Sequence, residues 1–181
     1  IRLSIDKPRS RALLEEHGVA VPRWAQFDRP DEHAWELFPA IVKPAWLHSS
    51  LGVDRWAVVL DADELQRRVA HVITTYEQPA LVEEFIDGRE FHVAMWGNDQ
   101  VEMLPPVEMD FSAFGDVRDR LCTYEAKFDA DSTACRKIRS RIPARLSADE
   151  HAALEAACRT AYRVGGCRDY GRIDVREREG R

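Results

Sequence analysis

Four groups of residues in this sequence have the types and spacing to bind or move charge. Lys43 closes the apolar run Ala40-Ile41-Val42 and is followed by Pro44, which fixes the exit of the chain. An amine at the end of a buried run requires an anionic partner, unless its stem simply carries the charge out to water. Ser49, Ser50 and Gly52 form a hydroxyl–glycine loop. Such a loop offers hydroxyls and backbone N–H groups to phosphate oxygens, although the same letters also make a plain surface turn. From Tyr170 to Arg176 the two-residue period of a strand puts Arg172, Asp174 and Arg176 on one face and Ile173 and Val175 on the other. An arginine beside a carboxylate joins a phosphate donor to a Mg²⁺ ligand, or is one rung of a solvated face of ion pairs. Finally, Glu83, Glu84 and Glu90 lie in or beside the apolar runs 80–86 and 91–96. Carboxylates disfavour strands and are rarely buried alone. Either this is an edge strand guarded by charge, or a hinge strand whose backbone and carboxylates grip a polar ligand.

The elements that position these groups are legible from period and punctuation. Asp6 caps a first helix with Lys7 and Pro8 in its opening turn and Gly18 after its end. A short strand follows over 19–25, another over 38–44, and a third over 55–60 after the hydroxyl–glycine loop. Asp61 and Glu64 form a capping box. From there Leu65, Val69, Val72, Ile73 and Tyr76 make one helical face. Asp87-Gly88 suits a tight turn between two strands. The strand over 101–109 is broken by Pro105-Pro106 and belongs at an edge. Residues 110–145 lack periodicity and read as a mobile lid. Ser147 and Glu150 open a helix whose inner face carries Leu154, Cys158, Ala161 and Tyr162, and 169–177 is the last strand. Alternating helix and strand points to an α+β fold.

Composition narrows the functions. The 181 residues carry 26 Lys+Arg against 32 Asp+Glu, a net charge of −6, which argues against a nucleic-acid surface. No apolar run reaches the roughly 20 residues of a membrane span, and the first residues lack a signal peptide's apolar region. The four cysteines lack metal-ligand spacing and read as reduced thiols of a cytoplasmic protein. Nucleotide-binding glycine motifs and the familiar hydrolase and zinc signatures are absent. Both ends look cut, with no methionine at Ile1 and a charged turn over 176–181 that should lead into a further strand.

The charged residues recur in an order. Asp-Lys-Pro-Arg-Ser-Arg, Phe-Pro-Ala-Ile-Val-Lys-Pro, Ser-Ser-Leu-Gly, Leu-Val-Glu-Glu-Phe-Ile-Asp-Gly-Arg-Glu-Phe, Tyr-Glu-Ala-Lys-Phe, Ile-Pro-Ala-Arg-Leu and Tyr-Gly-Arg-Ile-Asp-Val follow one another along the chain. This series resembles the ATP-grasp ligases, nearest their D-alanine–D-alanine ligase branch, from Asp6 to Val175.

The resemblance implies two α+β lobes with the nucleotide sandwiched between them: a central subdomain over 1–86 and a truncated C-terminal subdomain over 87–181. It implies ATP and Mg²⁺ as cofactors, amino-acid substrates and a role in cell-wall biogenesis. Lys7 and Lys43 would hold ATP phosphates, with the Ser49, Ser50 and Gly52 loop folded over them. Glu83, Glu84, Phe85 and Ile86 would meet adenine, and Glu90 the ribose. Lys127 would meet the transferred phosphate, Arg172 would stabilise the charged intermediate, and Asp174 would bind Mg²⁺. The family phosphorylates a carboxylate and lets an amine attack the acyl phosphate, chemistry that needs charge neutralisation and exclusion of water. Phe128 departs from the family, where a tyrosine is usual, and so does the Trp46-Leu47-His48 lead into Ser49. The family's N-terminal substrate domain and its Glu-x-Asn metal ligands lie outside the sequence, as would any homodimer contact. The chain alone is therefore expected to be inactive. Two alternatives stay open: a nucleotide-binding module that has lost catalysis, and a ligase joining other amino acids or peptides.

Overall fold

The computed structural model describes residues 2–31 and 34–178; the charged turn expected to run on to Arg181 ends outside them. In chain order the elements are α1 (Arg2–Ile5), α2 (Lys7–Glu16), β1 (Trp24–Phe27), β2 (Ala40–Pro44), β3 (Val58–Val59), α3 (Ala62–Tyr76), β4 (Ala80–Glu84), β5 (Arg89–Trp96), β6 (Glu102–Met103), β7 (Val107–Asp110), α4 (Tyr124–Phe128), α5 (Thr133–Lys137), β8 (Arg139–Arg141), α6 (Ala148–Val164) and β9 (Tyr170–Glu177). They make two compact units. One holds the residues up to Ser10 with Pro22–Phe85 and Phe111–Ile138; the other holds Arg11–Val21, Ile86–Asp110 and the described residues from Arg139 onward. No helix among the described residues is long and apolar enough to cross a membrane.

The first unit is an antiparallel sheet in the order β1-β4-β2-β3. Asp61 caps α3 by accepting from the Glu64 N–H at 2.8 Å, and the Glu64 carboxylate returns to the Leu60 N–H at 2.9 Å. The predicted face of α3 is the packed one. Leu65, Val69 and Val72 are buried against Ala40, Val42, Ala80 and Val82, with Ile73 and Tyr76 alongside. Alternation then turns Ile41, Lys43, Leu81 and Glu83 to the opposite face. There a small second core of Val58, Phe85 and Leu121 takes in Ile41, Val53 and Val117.

Several expectations change here. The strand with Glu83 and Glu84 is interior, flanked by β1 and β2, so charge is not guarding an edge. The strands on either side of Asp87-Gly88 do not pair with each other, because β4 and β5 belong to different sheets. The strand expected at 19–25 forms only from Trp24, beyond the φ restriction and missing donor of Pro22. Residues 55–60 form a 3-10 turn over Arg55–Ala57 and a two-residue strand. Residues 110–145 are not irregular: they carry α4, α5, β8 and a 3-10 turn over Val117–Asp119. Within them, 111–138 packs in the first unit, where Arg55 pairs with Asp116 and Asp119 and Arg118 grips both oxygens of Glu64 at 2.7 and 2.9 Å.

The second unit is built on β5. Antiparallel β9 lies along its whole length, and β6 and β7 succeed each other on the other side with Pro105-Pro106 between them. That interruption was expected, but β7 is not an edge, since β8 pairs outside it. Helix α6 starts with a complete Ser147/Glu150 capping box. It buries Leu154, Cys158 and Tyr162 against Phe91, Val93 and Met95, with Ile173 and Val175 alongside. Burial pushes the Cys158 thiol up to about 12. On this side Arg89 draws the unit together. It reaches Glu108 at 3.0 Å, Glu150 at 3.1 Å, Glu177 at 3.2 Å and the Arg145 carbonyl at 2.5 Å. These partners sit on β7, α6, β9 and the loop before α6, and they raise the guanidinium's affinity for its proton, Glu108 above all. Replacing Arg89 by methionine should cost about 1.5–3 kcal/mol, the worth of a charged hydrogen-bond set at a half-covered site. Urea unfolding with an unchanged slope would measure it, and a loss under 0.5 kcal/mol would refute the tie.

Candidate functional site

Lys43 and Glu83 sit on the α3-free face of the first unit, one register step apart on paired strands, since Ile41 faces Glu83 and Lys43 faces Leu81. Long side chains at such diagonal positions can meet, and the Lys43 amine forms an ion pair with the Glu83 carboxylate. Glu83 is only 2% exposed. The lysine therefore does have the anionic partner its position requires, and that partner is protein. This is the glutamate expected at the adenine, and its carboxylate is paired with the lysine.

Beside this strand end, Lys7 donates from the first turn of α2 to the carbonyls of Pro44, at 2.9 Å, and Leu47. The next residues form the hydroxyl–glycine loop. Ser49 and Ser50 both have positive φ, 57° and 60°, and the Leu51 N–H returns to the His48 carbonyl at 3.1 Å. Two central residues with φ > 0 make a type I′ turn, a form that favours Asn and Gly. Non-glycine residues held there store about 1–3 kcal/mol each, and persist only where neighbours over-determine them. Those neighbours are present. Ser50 Oγ donates to the Cys122 carbonyl at 3.1 Å and accepts from Lys127 Nζ at 2.9 Å. Gly52, at φ 72°, lies so close to Pro44 that a Cβ there would stand 2.7 Å from its Cγ. Lys127, on α4, is thus brought 77 positions along the chain onto the strained turn. An ammonium and a hydroxyl on one turn are donors that fit phosphate oxygens.

One support of this loop has no counterpart among the expected site residues. Arg68 of α3 is 7% exposed; it donates to the Gly52 carbonyl at 2.8 Å and to Asp54 at 3.2 Å. Its Nε and the other Asp54 oxygen are buried without a hydrogen-bond partner. The signal was in the sequence: Arg68 falls three residues after Leu65 and one before Val69, on the apolar face of the helix.

The backbone at the end of β4 is largely engaged. The Glu84 N–H goes to the Arg23 carbonyl and the Phe85 N–H to the Pro39 carbonyl, both at 2.9 Å, while the Phe85 ring belongs to the small core.

In the second unit, the sheet face turned away from α6 carries the remaining predicted residues. Glu90 is buried and accepts from His92 Nε2 at 3.0 Å and from Arg176 at 2.6 and 3.0 Å. Arg176 also donates to the Ile86 carbonyl at 2.9 Å. Burial alone would raise the Glu90 pKa, but the His92 hydrogen bond and the Arg176 charge outweigh it and hold the carboxyl at about 2. Arg172 and Asp174 form a two-pronged pair, 2.8 and 3.2 Å. The fork occupies one lone pair on each Asp174 oxygen. Others stay open for an oxygen-seeking cation such as Mg²⁺. His92, not foreseen as a site residue, lies between Glu90 and Asp174, 4.0 Å from the latter. Its place two residues after Glu90 in a strand was the available signal.

Three consequences can be measured. Glu90 has a folded pKa below its ordinary value, so its contribution to stability is complete above about 4.5 and is lost as pH falls towards about 2. Glu90→Gln should flatten that acid limb of the stability curve; an unchanged limb would refute the assignment. Arg68→Met should release the loop, costing roughly 1.5–3 kcal/mol because the Gly52 carbonyl and Asp54 lose their charged donor, and should raise the exchange rates of the amides of 51–53. Lys43→Met, innocuous for a snorkelling lysine, should here lower the melting temperature by several degrees, because it strands a buried carboxylate; Lys43→Met with Glu83→Leu should recover most of that loss.

The geometry can be set beside known proteins. The family model described as "D-ala D-ala ligase C-terminus" matches residues 13–180. The chain is 39% identical over 179 residues to "Uncharacterized protein y4sG" of Sinorhizobium fredii (strain NBRC 101917 / NGR234), covering 96% of this chain and 49% of that one. It is 33% identical to a D-alanine–D-alanine ligase of Alcanivorax borkumensis, covering 96% and 50%. Among solved structures, the VanG D-Ala:D-Ser ligase from Enterococcus faecalis superposes with a TM-score of 0.70 at 26% identity, over 96% of this chain and 48% of that one. The ATP complex of the Bacillus anthracis D-alanine–D-alanine ligase superposes with a TM-score of 0.73 at 20% identity, over 99% and 52%, a likeness of fold. The chain spans about half the length of the curated relatives it matches.

Proposed function

The chain belongs to the D-ala D-ala ligase C-terminus family and has the ATP-grasp fold, and from that premise we propose that it is the nucleotide-binding part of an ATP-dependent carboxylate–amine ligase. The observation that carries this reading is Lys127 Nζ on Ser50 Oγ, 2.9 Å apart, over a turn with two strained serines. A packing role does not call for an exposed lysine there, whereas phosphoryl transfer does.

In this reading Lys7, Lys43 and Lys127 hold the phosphates of ATP, and Ser49, Ser50 and Gly52 cover them. The end of β4, Glu83 to Ile86, borders the adenine, and Glu90 the ribose. Glu83 acts through Lys43, whose amine it holds in place by an ion pair. Asp174 is the carboxylate for Mg²⁺, which when bound neutralises phosphate charge. Arg172 stands beside it to stabilise the charge that develops as the phosphoryl group passes to a substrate carboxylate. An amine then displaces phosphate and forms the new bond. The substrates are amino acids, the protein serves cell-wall biogenesis, and it works in the cytoplasm.

A rival reading, a module that binds nucleotide without turnover, draws on the closed Arg172–Asp174 pair and on Glu90 being held by Arg176 and His92. Lys127→Met separates the two. In the full-length protein it should lower ATP-dependent phosphate release roughly hundred-fold. The melting temperature should stay within about 1 °C, because the side chain is exposed. ATP binding by calorimetry with no phosphate release from the wild type would favour the rival.

A further inference from the structure

On β5 and β9 the register sets four rungs on the face turned away from α6: Glu90 with Arg176, His92 with Asp174, Ala94 with Arg172, and Trp96 with Tyr170. Successive rungs are two residues apart, roughly 6.6–6.8 Å. In the reading above they run in functional order: nucleotide sugar at Glu90, metal at Asp174, developing charge at Arg172. The next step beyond the phosphoryl group belongs to the substrate, and what stands there is a pair of aromatic rings. Trp96 is 57% and Tyr170 56% exposed.

The residues next to the pair are tied by hydrogen bonds. Gly97 N–H donates to the Asp169 carbonyl at 2.9 Å, and Asn98 and Asp169 exchange two bonds at 2.9 and 3.0 Å. The Tyr162 hydroxyl, from the core of α6, donates to the Gly97 carbonyl at 2.9 Å. Two large rings exposed on one rung are suited to take an apolar group from water. A methyl or hydroxymethyl side chain is too small to cover them.

We infer that Trp96 and Tyr170 form a subsite for a bulky apolar side chain, so that the substrate is an amino acid or peptide larger in this position than alanine or serine. The inference rests on the ligase reading, which places the substrate next to Arg172. It is tested in the full-length protein by ATP-dependent phosphate release with the D- and L-forms of alanine, leucine and phenylalanine. The expected result is a higher kcat/KM for leucine or phenylalanine than for alanine. Trp96→Ala and Tyr170→Ala should each reduce that ratio roughly ten- to hundred-fold, the worth of burying one large apolar side chain, and Trp96→Phe should restore most of it. A wild-type preference for alanine overturns the subsite and leaves the ligase reading intact. So does a ratio unmoved in Trp96→Ala while the melting temperature falls, which would make the rings a packing surface. Absence of turnover with every amino acid, together with absence of ATP binding, overturns both.

Discussion

The first unit depends on one constraint: a carboxylate in the middle strand of its sheet has to be answered by a cation that the fold itself provides. Glu83 is almost wholly buried, and leaving its carboxylate without a partner costs about 3–5 kcal/mol. Lys43 answers it across β2 and β4. That pairing holds the amine at the strand end, next to the carbonyls that Lys7 engages and just before the strained serine turn. The turn is held in its turn by Arg68 and by the Cys122 carbonyl. Electrostatic need in the core and the ordering of the serine turn are therefore parts of one network.

Both units solve the problem of placing charge on a sheet in the same way. One face is apolar and covered by a single long helix, α3 or α6, while the other carries the buried ion pairs, beside a small second core in the first unit. In the second unit the partition is plain: Arg89 ties together elements on the helix side, and Glu90, His92, Arg172, Asp174 and Arg176 line the opposite side. The period of two that separates these sets is also what sets the spacing of the rungs from Glu90 to Trp96.

Electrostatics and catalysis need not agree residue by residue. Glu90 is held ionised by Arg176 and His92, so its carboxylate enters any ligand complex already charged and already oriented. Arg172 and Asp174 neutralise each other on β9. A site of opposite charges at rest avoids the repulsion that a cluster of one sign would carry.

What the sequence determined by itself was local. Asp61 and Ser147 with their glutamates announced α3 and α6, the 3.6-residue period named their buried faces, and the two-residue period of 170–176 sorted β9 into an ionic and an apolar face. These features follow from backbone geometry within a few residues, so no distant partner was needed to read them. The order of its charged segments also identified the family. Only the tertiary structure decided that β4 is interior and lies in a different sheet from β5, and that 111–138 packs with the first unit. It alone showed that Glu83 pairs with Lys43, and that Arg68 turns inward to hold the loop. Each of these is a pairing between residues far apart in the chain. A carboxylate or guanidinium has the same local preference whether its partner is water, a ligand or another strand, and only the folded neighbours say which.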